Sequence, residues 1–332
     1  MLAHGGNLAD AVQRFGRARE LWVDLSTGIN PRLYPIPSLA ADAWHRLPEA
    51  RADLLLAAQD FYQAPHLLPV AGSQAAIQAL PGLRARSRVV IAAPSYAEHA
   101  HAWRRAGHLV REVPFDDLQA ALPTCDVLVL CNPNNPTGAR IAPSVLLDWA
   151  ATLASRQGWL LVDEAFADVT PALSICQQAD REGLIVLRSL GKFFGLAGMR
   201  TGFVAAPPAL LTQLADVLGP WTVSGPAQEI AQAALRDLAW QAGTREFLSA
   251  GGLRLSSLLK AHGIAACGTS LFQWWPEARP EAFHEHMARR GIWVRLFPDQ
   301  ARGIRLGLPG SEAHWSRLES ALVAWSLSES KT

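Results

Sequence analysis

The sequence predicts an α/β protein with a mainly parallel sheet, followed by a second, smaller domain. Between residues 88 and 207, short apolar runs alternate with helical segments, which is typical of parallel strands joined by helices. Several runs, such as "DVLVLCNP", are continuously apolar, as strands covered on both faces are. After about residue 208, long helical stretches replace this alternation, and that change of pattern indicates the second domain.

The predicted elements of the first region follow one another at short intervals. Strands are expected at 88–94, 108–115, 126–133, 159–166, 184–190 and 201–207. Helices are expected at 96–106, introduced by Pro94 and Ser95, and at 143–157, where Pro143 supplies the fixed φ that suits a first helical turn.

The second region is expected to be helical first and mixed afterwards. Its helices are predicted at 209–218, 226–241, 243–262 and 311–327, and its strands at 270–276 and 292–298. We therefore predict an N-terminal arm at 1–25 that packs with the smaller domain, a larger domain at 26–215 and the smaller domain at 216–332.

The composition is that of an ordinary globular protein. The 332 residues carry a formal net charge of +1, which gives no electrostatic signal for nucleic acid or an anionic membrane. No apolar run is long enough for a membrane span, and "MLAHGGNLAD" has no secretory-signal pattern. Four cysteines without a CxxC pair predict no metal site and fit a reducing compartment. We expect a cytoplasmic protein.

Unusual polar residues follow several predicted strands. Asn135 lies in "CNPNNPTG", Asp163 ends the apolar run of "LLVDEAF", and Lys192 lies in "SLGKFFGLAGMR". Ligands of open α/β sheets bind at the carboxyl ends of the strands, so these residues predict a ligand site there.

Lys192 is the residue that composition singles out. Only three of the 30 Lys+Arg residues are lysine, and this one stands beside Gly191 after an apolar run. It is either an ordinary surface cation or an amine that must lose its proton, which arginine does not do. Ser189 and Arg200 flank it and are suited to bind a phosphate. A lysine in such a closed site lies close to other cations, and both the burial and these charges lower its pKa.

The other candidates each have a structural explanation as well. Ser73 in "AGSQAAIQAL" either caps a helix or binds a phosphate, and capping is the commoner reason. Asn135 serves a turn or a ligand, and Asp163 caps a helix or accepts a hydrogen bond from a protonated ring nitrogen. Together with Lys192 they meet the needs of pyridoxal phosphate, for which Tyr96 offers an aromatic face.

Three stretches together resemble one enzyme family. "NPNNPTG", "VDEAF" and "SLGKFFGLAGMRTG" occur in that order and at plausible separations. They are similar to the motifs of the class I/II aminotransferases, fold-type I enzymes that depend on pyridoxal 5′-phosphate, and the likeness covers essentially the whole chain. The resemblance implies that cofactor, a large domain with a mainly parallel seven-stranded sheet, a smaller C-terminal α/β domain and a homodimer.

The resemblance also implies roles for single residues. Lys192 is expected to bind the cofactor covalently, Asp163 to pair with its pyridinium nitrogen and Asn135 to donate to its ring oxygen, which makes these three the expected catalytic residues. The remaining expected cofactor contacts are Gly72, Ser73, Gln74, Tyr96, Phe166, Ser189 and Arg200.

The expected substrate is a small phosphorylated amino acid. The N-terminal "HGGN", Leu47 and Phe166 resemble the decarboxylating branch of the family, since transaminases usually carry a tyrosine at the position of Phe166. The resemblance implies decarboxylation of L-threonine O-3-phosphate to (R)-1-amino-2-propanol O-2-phosphate and CO2 in cobalamin biosynthesis. The expected substrate-binding residues are Arg305 for the carboxylate and His4, Asn30 and Arg295 for the phosphate.

Other interpretations stay open on the sequence alone. Histidinol-phosphate transamination and L-serine O-phosphate decarboxylation use similar substrates, and a non-catalytic aminotransferase-like domain would keep the same fold. A nicotinamide-binding enzyme is disfavoured, because no GxGxxG follows the first strand.

Overall fold

The computed structural model describes residues 4–49, 51–298 and 301–329. The chain folds into two compact units. The larger unit comprises Leu33–Asn135 and Ala139–Thr244, and the smaller unit comprises Met1–Arg32, Pro136–Gly138 and Arg245–Thr332. Residues 216–244, which we expected in the smaller domain, group with the larger unit.

The secondary structure alternates as an α/β sequence pattern requires. The strands are β1 Val23–Leu25, β2 Leu67–Val70, β3 Arg88–Ala93, β4 Leu109–Pro114, β5 Val127–Cys131, β6 Trp159–Asp163, β7 Leu184–Ser189, β8 Gly202–Ala205, β9 Cys267–Thr269, β10 Phe272–Pro276, β11 Ile292–Phe297 and β12 Gly303–Gly307. The α-helices are α1 Leu8–Phe15, α2 Asp42–His45, α3 Ala52–Tyr62, α4 Ser73–Ala79, α5 Ala97–Arg105, α6 Leu118–Ala121, α7 Pro143–Ala154, α8 Pro208–Leu218, α9 Gly225–Arg236, α10 Leu238–Ala261, α11 Pro280–Arg289 and α12 Glu312–Glu329.

A seven-stranded sheet forms the centre of the larger unit, in the order β2-β8-β7-β6-β5-β3-β4. The pairs β4–β3, β3–β5, β5–β6 and β6–β7 are parallel, and β8 runs antiparallel to both of its neighbours. The predicted α/β class with a mainly parallel seven-stranded sheet is confirmed.

Burial explains why the central strands read as continuous apolar runs. All five residues of β5 are buried, so both faces of this strand are covered. One face of the sheet packs against α4, α5 and α8 in a core that includes Ile77, Trp103, Leu161 and Leu214.

All six strands predicted between residues 88 and 207 form, and so does the helix that opens at Ser73, whereas β2 was missed. Pro69 obscured β2, because a proline is a poor strand signal. The strand tolerates it because it lies at the edge of the sheet, where one row of backbone N–H groups needs no partner strand.

The smaller unit contains a five-stranded sheet in the order β1-β11-β12-β10-β9. β1 pairs in parallel with β11, and the other neighbours are antiparallel. The N-terminal helix α1 packs into this unit through Ala11, beside the rings of Trp22 and Trp293. Residues 4–25 thus group with the C-terminal part of the chain.

None of the helices that the structure describes combines the length and the apolar character that a membrane crossing needs.

Candidate active site

A pocket in the larger unit collects most of the residues that the sequence singled out. It lies where β3, β5, β6 and β7 reach their carboxyl ends, as expected for a parallel sheet. The residues that line it are Ser73, Gln74, Tyr96, Cys131, Asn135, Asp163, Ala165, Phe166, Ser189, Gly191, Lys192, Ala197 and Arg200.

Asp163 is the carboxylate of this pocket, and it ends β6. Only 4% of the residue is exposed. Its Oδ1 accepts a hydrogen bond from the backbone N–H of Ala165 at 3.0 Å, and its Oδ2 lies 3.1 Å from Nε2 of His99. Both carboxylate oxygens therefore have a hydrogen-bond partner although the residue is buried.

His99 is fully buried on α5 and provides the charge that Asp163 needs. Burial lowers the pKa of its imidazole, but hydrogen bonds with Asp163 and Cys131 outweigh that effect and raise the pKa to about 10. The imidazole is therefore protonated at neutral pH and donates to the carboxylate.

The three asparagines of the "NPNNPTG" turn have different surroundings: two bond to the backbone of the turn and its neighbours, and one lines the pocket. Asn132 exchanges hydrogen bonds with the backbone of Ile141, donating at 3.1 Å and accepting at 2.9 Å. Asn134 donates to the carbonyl of Pro94 at 3.0 Å. Asn135, the residue predicted for the ligand, lines the pocket.

One end of the pocket is suited to an anion. Arg200 donates from Nη1 to the carbonyl of Ala197 at 3.2 Å. A Cβ on Gly72 would lie 2.7 Å from Nη2 of Arg200, and Gly72 has a φ of +73°, so only glycine fits there. The hydroxyls of Ser73 and Ser189 line the same pocket.

Ser73 does not act as the helix cap that its position suggested. It is the first residue of α4, and this helix begins without a side-chain cap among the residues that the structure describes. The hydroxyl thus lines the pocket from the first turn of the helix.

Two buried rings follow Lys192 directly and fix the lysine turn. Phe193 and Phe194 are almost fully buried, and Phe194 stacks on Trp240 with ring centroids 5.6 Å apart. Nζ of Lys192 lies 5.5 Å from the ring centroid of Phe166, so the amine and the aromatic ring are neighbours in the pocket wall.

Tyr96 is held by a chain of hydrogen bonds between α4 and α5. Its hydroxyl donates to Oε1 of Gln74 at 3.1 Å, and Nε2 of Gln74 donates to Glu98 at 2.8 Å. Burial and the nearby carboxylates of Glu98 and Asp163 raise the pKa of Tyr96 to about 12. The ring therefore stays neutral and has a fixed orientation.

The predicted substrate arginines lie in the smaller unit, on neighbouring antiparallel strands. Arg295 on β11 is directly opposite Arg305 on β12. Arg305 is buried and donates from Nη2 to the carbonyl of Ser26 at 2.8 Å. Burial lowers the pKa of both guanidinium groups, and the charge of Arg295 lowers that of Arg305 further. Two adjacent cations, one buried and one half-buried, are an arrangement that an anion stabilises.

The other two predicted substrate residues have different surroundings. Asn30 is buried, and its Oδ1 accepts a hydrogen bond from the backbone N–H of Arg32 at 2.9 Å, as in an asparagine turn. His4 is exposed.

The comparison with known families agrees with this geometry. Residues 38–310 match the model of the family described as aminotransferase class I and II. The chain belongs to the class I and II aminotransferases. The family match spans the strand ends that form the pocket of this aminotransferase-family protein.

Two of its relatives cover nearly the whole chain. A threonine-phosphate decarboxylase of Pseudomonas aeruginosa is 52% identical over 98% of both chains, and one of a Sinorhizobium species is 40% identical over 98% of this chain and 99% of its own. Among solved structures, a histidinol-phosphate aminotransferase from Sinorhizobium meliloti in complex with pyridoxal-5′-phosphate has a TM-score of 0.83 at 19% identity, covering 99% of each chain. The last comparison supports the fold.

Sequence reasoning missed several residues that shape this aminotransferase-family pocket. His99 lies three residues after Tyr96, one helical turn further along α5, but no motif marked it. One ligand atom each from His99, Cys131 and Asp163 lies within 4.8 Å of the others, and the hydrogen bond from His99 to Asp163 accounts for this grouping. Glu98 was missed because its role depends on Gln74, which is distant in sequence.

Proposed function

We propose that this protein decarboxylates L-threonine O-3-phosphate to (R)-1-amino-2-propanol O-2-phosphate and CO2, with pyridoxal 5′-phosphate as cofactor, in cobalamin biosynthesis. The observation that carries the proposal is the 52% identity over 98% of both chains with a protein named threonine-phosphate decarboxylase.

The pocket residues fit the cofactor chemically. Gly72 leaves room beside Nη2 of Arg200 for a phosphate, and the hydroxyls of Ser73 and Ser189 provide further donors. Asp163, charged and hydrogen-bonded to His99, is the partner that a protonated pyridine nitrogen requires.

Three further residues complete the proposed cofactor site. Asn135 has an amide to donate to the ring oxygen, and Tyr96 and Phe166 supply aromatic faces. Among the described residues that line the pocket, Lys192 is the only primary amine, so it is the residue that binds the cofactor covalently.

Asp163 and Lys192 have different roles in the proposed reaction. When bound, pyridoxal phosphate supplies an acceptor for the electron pair that remains at Cα when the bond to the carboxylate breaks. The charged Asp163 favours a protonated ring nitrogen, which strengthens that acceptor. Lys192 then holds the proton that Cα must receive in place of the carboxylate.

The substrate carries two anions, and the smaller unit offers two neighbouring arginines. We assign the carboxylate to Arg305 and the phosphate to Arg295, with His4 and Asn30 as further polar contacts. A guanidinium binds each of these anions as a fork, which fixes orientation as well as charge. Orientation decides the reaction, because the bond that lies perpendicular to the cofactor ring is the one that breaks.

A CO2-release assay tests the proposed reaction. The protein with bound cofactor is incubated with L-threonine O-3-phosphate, and CO2 and aminopropanol phosphate are measured. We expect both products in equal amounts, and none with Lys192→Ala. Glutamate formation from 2-oxoglutarate without CO2 would refute the proposal in favour of a transaminase.

The same assay compares threonine phosphate with serine phosphate. The two substrates differ by one methyl group, which a pocket distinguishes by about 1–3 kcal/mol. We expect threonine phosphate to have the higher kcat/KM, and a preference for serine phosphate would change the substrate assignment.

We also propose a homodimer. Leu33, Ile36, Trp44 and Leu47 lie within fifteen residues of one another in the larger unit and expose 53%, 57%, 72% and 64% of their surface. Large apolar side chains exposed together mark an interaction surface. We expect twice the chain mass in light scattering and half of it for Trp44→Glu, whereas Leu253→Glu, which alters an exposed leucine of the smaller unit, should leave the dimer intact.

A cytoplasmic location is part of the proposal. All four cysteines are free thiols, and Cys125, Cys131 and Cys176 are buried, which fits a reducing compartment. Fractionation of the source cells checks this location, and recovery of the protein outside the cytoplasm would contradict it.

A further inference from the structure

A buried ion cluster lies beside the proposed cofactor pocket, and none of its side chains lines that pocket. It consists of Arg188 with the carboxylates of Glu164 and Asp168, whose side chains are 3%, 0% and 1% exposed. The guanidinium donates to Glu164 from Nη1 and to Asp168 from Nη2, and it lies over the ring of Tyr62 at 4.5 Å from the centroid.

The cluster joins two strand ends that also form the pocket. Arg188 lies on β7 immediately before Ser189, and Glu164 follows Asp163 at the end of β6. Successive side chains of a strand point to opposite faces, so Arg188 lies on the face opposite to that of Ser189. The ion pair thus connects β6 and β7 from the side that the pocket does not use.

The same guanidinium also holds a short loop at both ends. Glu164 and Asp168 stand two residues before and two residues after Phe166, which lines the pocket. Glu164 is itself anchored, since its Oε1 accepts a hydrogen bond from the backbone N–H of Ile175 at 2.8 Å. A displacement of Arg188 therefore moves the Phe166 loop, and Phe166 is the neighbour of Lys192.

We propose that Arg188 is a positioning residue that holds Asp163, Phe166 and Ser189 in place around the cofactor. A fold needs no charge at this depth, because an apolar side chain of similar volume usually packs as stably as a buried ion pair. Two carboxylates bound by one planar fork instead fix both strand ends and the loop in a single geometry. The inference rests on the proposed cofactor site and not on the identity of the substrate.

The test uses a variant that removes the ion cluster without leaving an unpaired buried charge. In the triple variant Arg188→Met, Glu164→Gln, Asp168→Asn, all three groups are neutral and close to their original size. Circular dichroism and the thermal midpoint report folding, and the rate of cofactor loss after dilution, followed by its absorbance, reports the pocket. Leu214→Ala, which opens a cavity in the core between the sheet and α8 and changes no residue that lines the pocket, is the control for lost stability alone.

We expect the triple variant to fold but to lose the cofactor at least tenfold faster than the wild type. Its kcat should fall by about tenfold to a hundredfold, since misplacement by an ångström costs that much, while KM changes less than threefold. Leu214→Ala should have a lower thermal midpoint with unchanged cofactor loss. Wild-type cofactor retention and kcat in a folded triple variant would overturn the proposal.

A second variant covers the case in which the triple variant does not fold. Arg188→Lys keeps the charge but loses the fork, and we expect the same faster loss of cofactor with native circular dichroism. Wild-type retention in this variant would equally refute a positioning role. The rate of cofactor loss can be measured in both variants even if the wild type does not release CO2. The positioning role of Arg188 can therefore be refuted independently of the proposed decarboxylation.

Discussion

The hydrogen bond between His99 and Asp163 makes the stability of the protein depend on pH in a direction that the structure specifies. The pKa of His99 is raised to about 10 from its ordinary value of 6.5. The folded chain therefore holds a proton that the unfolded chain has released at neutral pH. This contribution to stability is complete below pH 6.5 and is lost as the pH rises through about 10.

The size of the effect follows from these two values. At pH 7 the unfolded imidazole is mostly neutral, so the folded state gains about 1.4 kcal/mol for each of the three pH units up to its own pKa. The proton is therefore worth about 4 kcal/mol at pH 7 and less than about 1 kcal/mol at pH 10.5. Breaking a buried ion pair by other means costs a similar amount, about 3–5 kcal/mol.

The variant His99→Gln isolates the stability that the imidazole proton contributes, because glutamine keeps an N–H donor for Asp163 but does not titrate. Both proteins are unfolded in guanidinium chloride without added cofactor at pH 7 and pH 10.5, and the difference in their free energies of unfolding is compared. We expect the free energy of unfolding of the wild type, relative to that of His99→Gln, to fall by about 4 kcal/mol between pH 7 and pH 10.5. Other groups titrate in both proteins and cancel. A difference that does not change with pH would refute the charged imidazole.

Two further predictions concern the proposed phosphate site of the cofactor and the proposed contact to the substrate carboxylate. Gly72→Ala should weaken cofactor binding at least tenfold in an absorbance titration, because its Cβ would lie 2.7 Å from Nη2 of Arg200 and its positive φ costs about 1–3 kcal/mol. Gly219→Ala, at a φ of +74° with no atom within 4 Å of the added Cβ, should leave that affinity unchanged. Arg305→Lys should lower kcat/KM for the phosphorylated substrate at least tenfold with normal cofactor absorbance, whereas Arg254→Lys, in an exposed pair with Glu312, should change neither.

The strands were predictable because each depends on a short stretch of sequence, and the residues that we expect to contact the cofactor follow those strands. β5, β6 and β7 are apolar over most of their length. Asp163 and Ser189 end β6 and β7, and Asn135 lies in the turn that follows β5. A parallel sheet brings such ends together whatever the loops between them do. The grouping of residues 216–244 with the larger unit was not predictable in this way, because it depends on packing such as that of α9 against α3, which no local pattern encodes.

The positions that the sequence did not reveal are those whose partners are distant in the chain. His99 meets Asp163 across 64 residues, and the pair becomes evident only once α5 lies beside β6. The two explanations of Ser73, helix cap and phosphate contact, stayed open for a related reason, since a serine at the start of a helix is ambiguous until the surroundings of its hydroxyl are known.

The period of two in a strand explains how one segment supplies both the pocket and its support. When a strand end turns one side chain toward a ligand, the adjacent side chain points to the opposite face. At the ends of β6 and β7 the adjacent residues are Glu164 and Arg188, which are oppositely charged, buried and paired. Motif matching directs attention to Asp163, Ser189 and their spacing, and treats the adjacent charges as incidental. We infer instead that the Arg188–Glu164 pair, on the opposite face of the sheet, helps to hold the neighbouring pocket residues Ser189 and Asp163 in position.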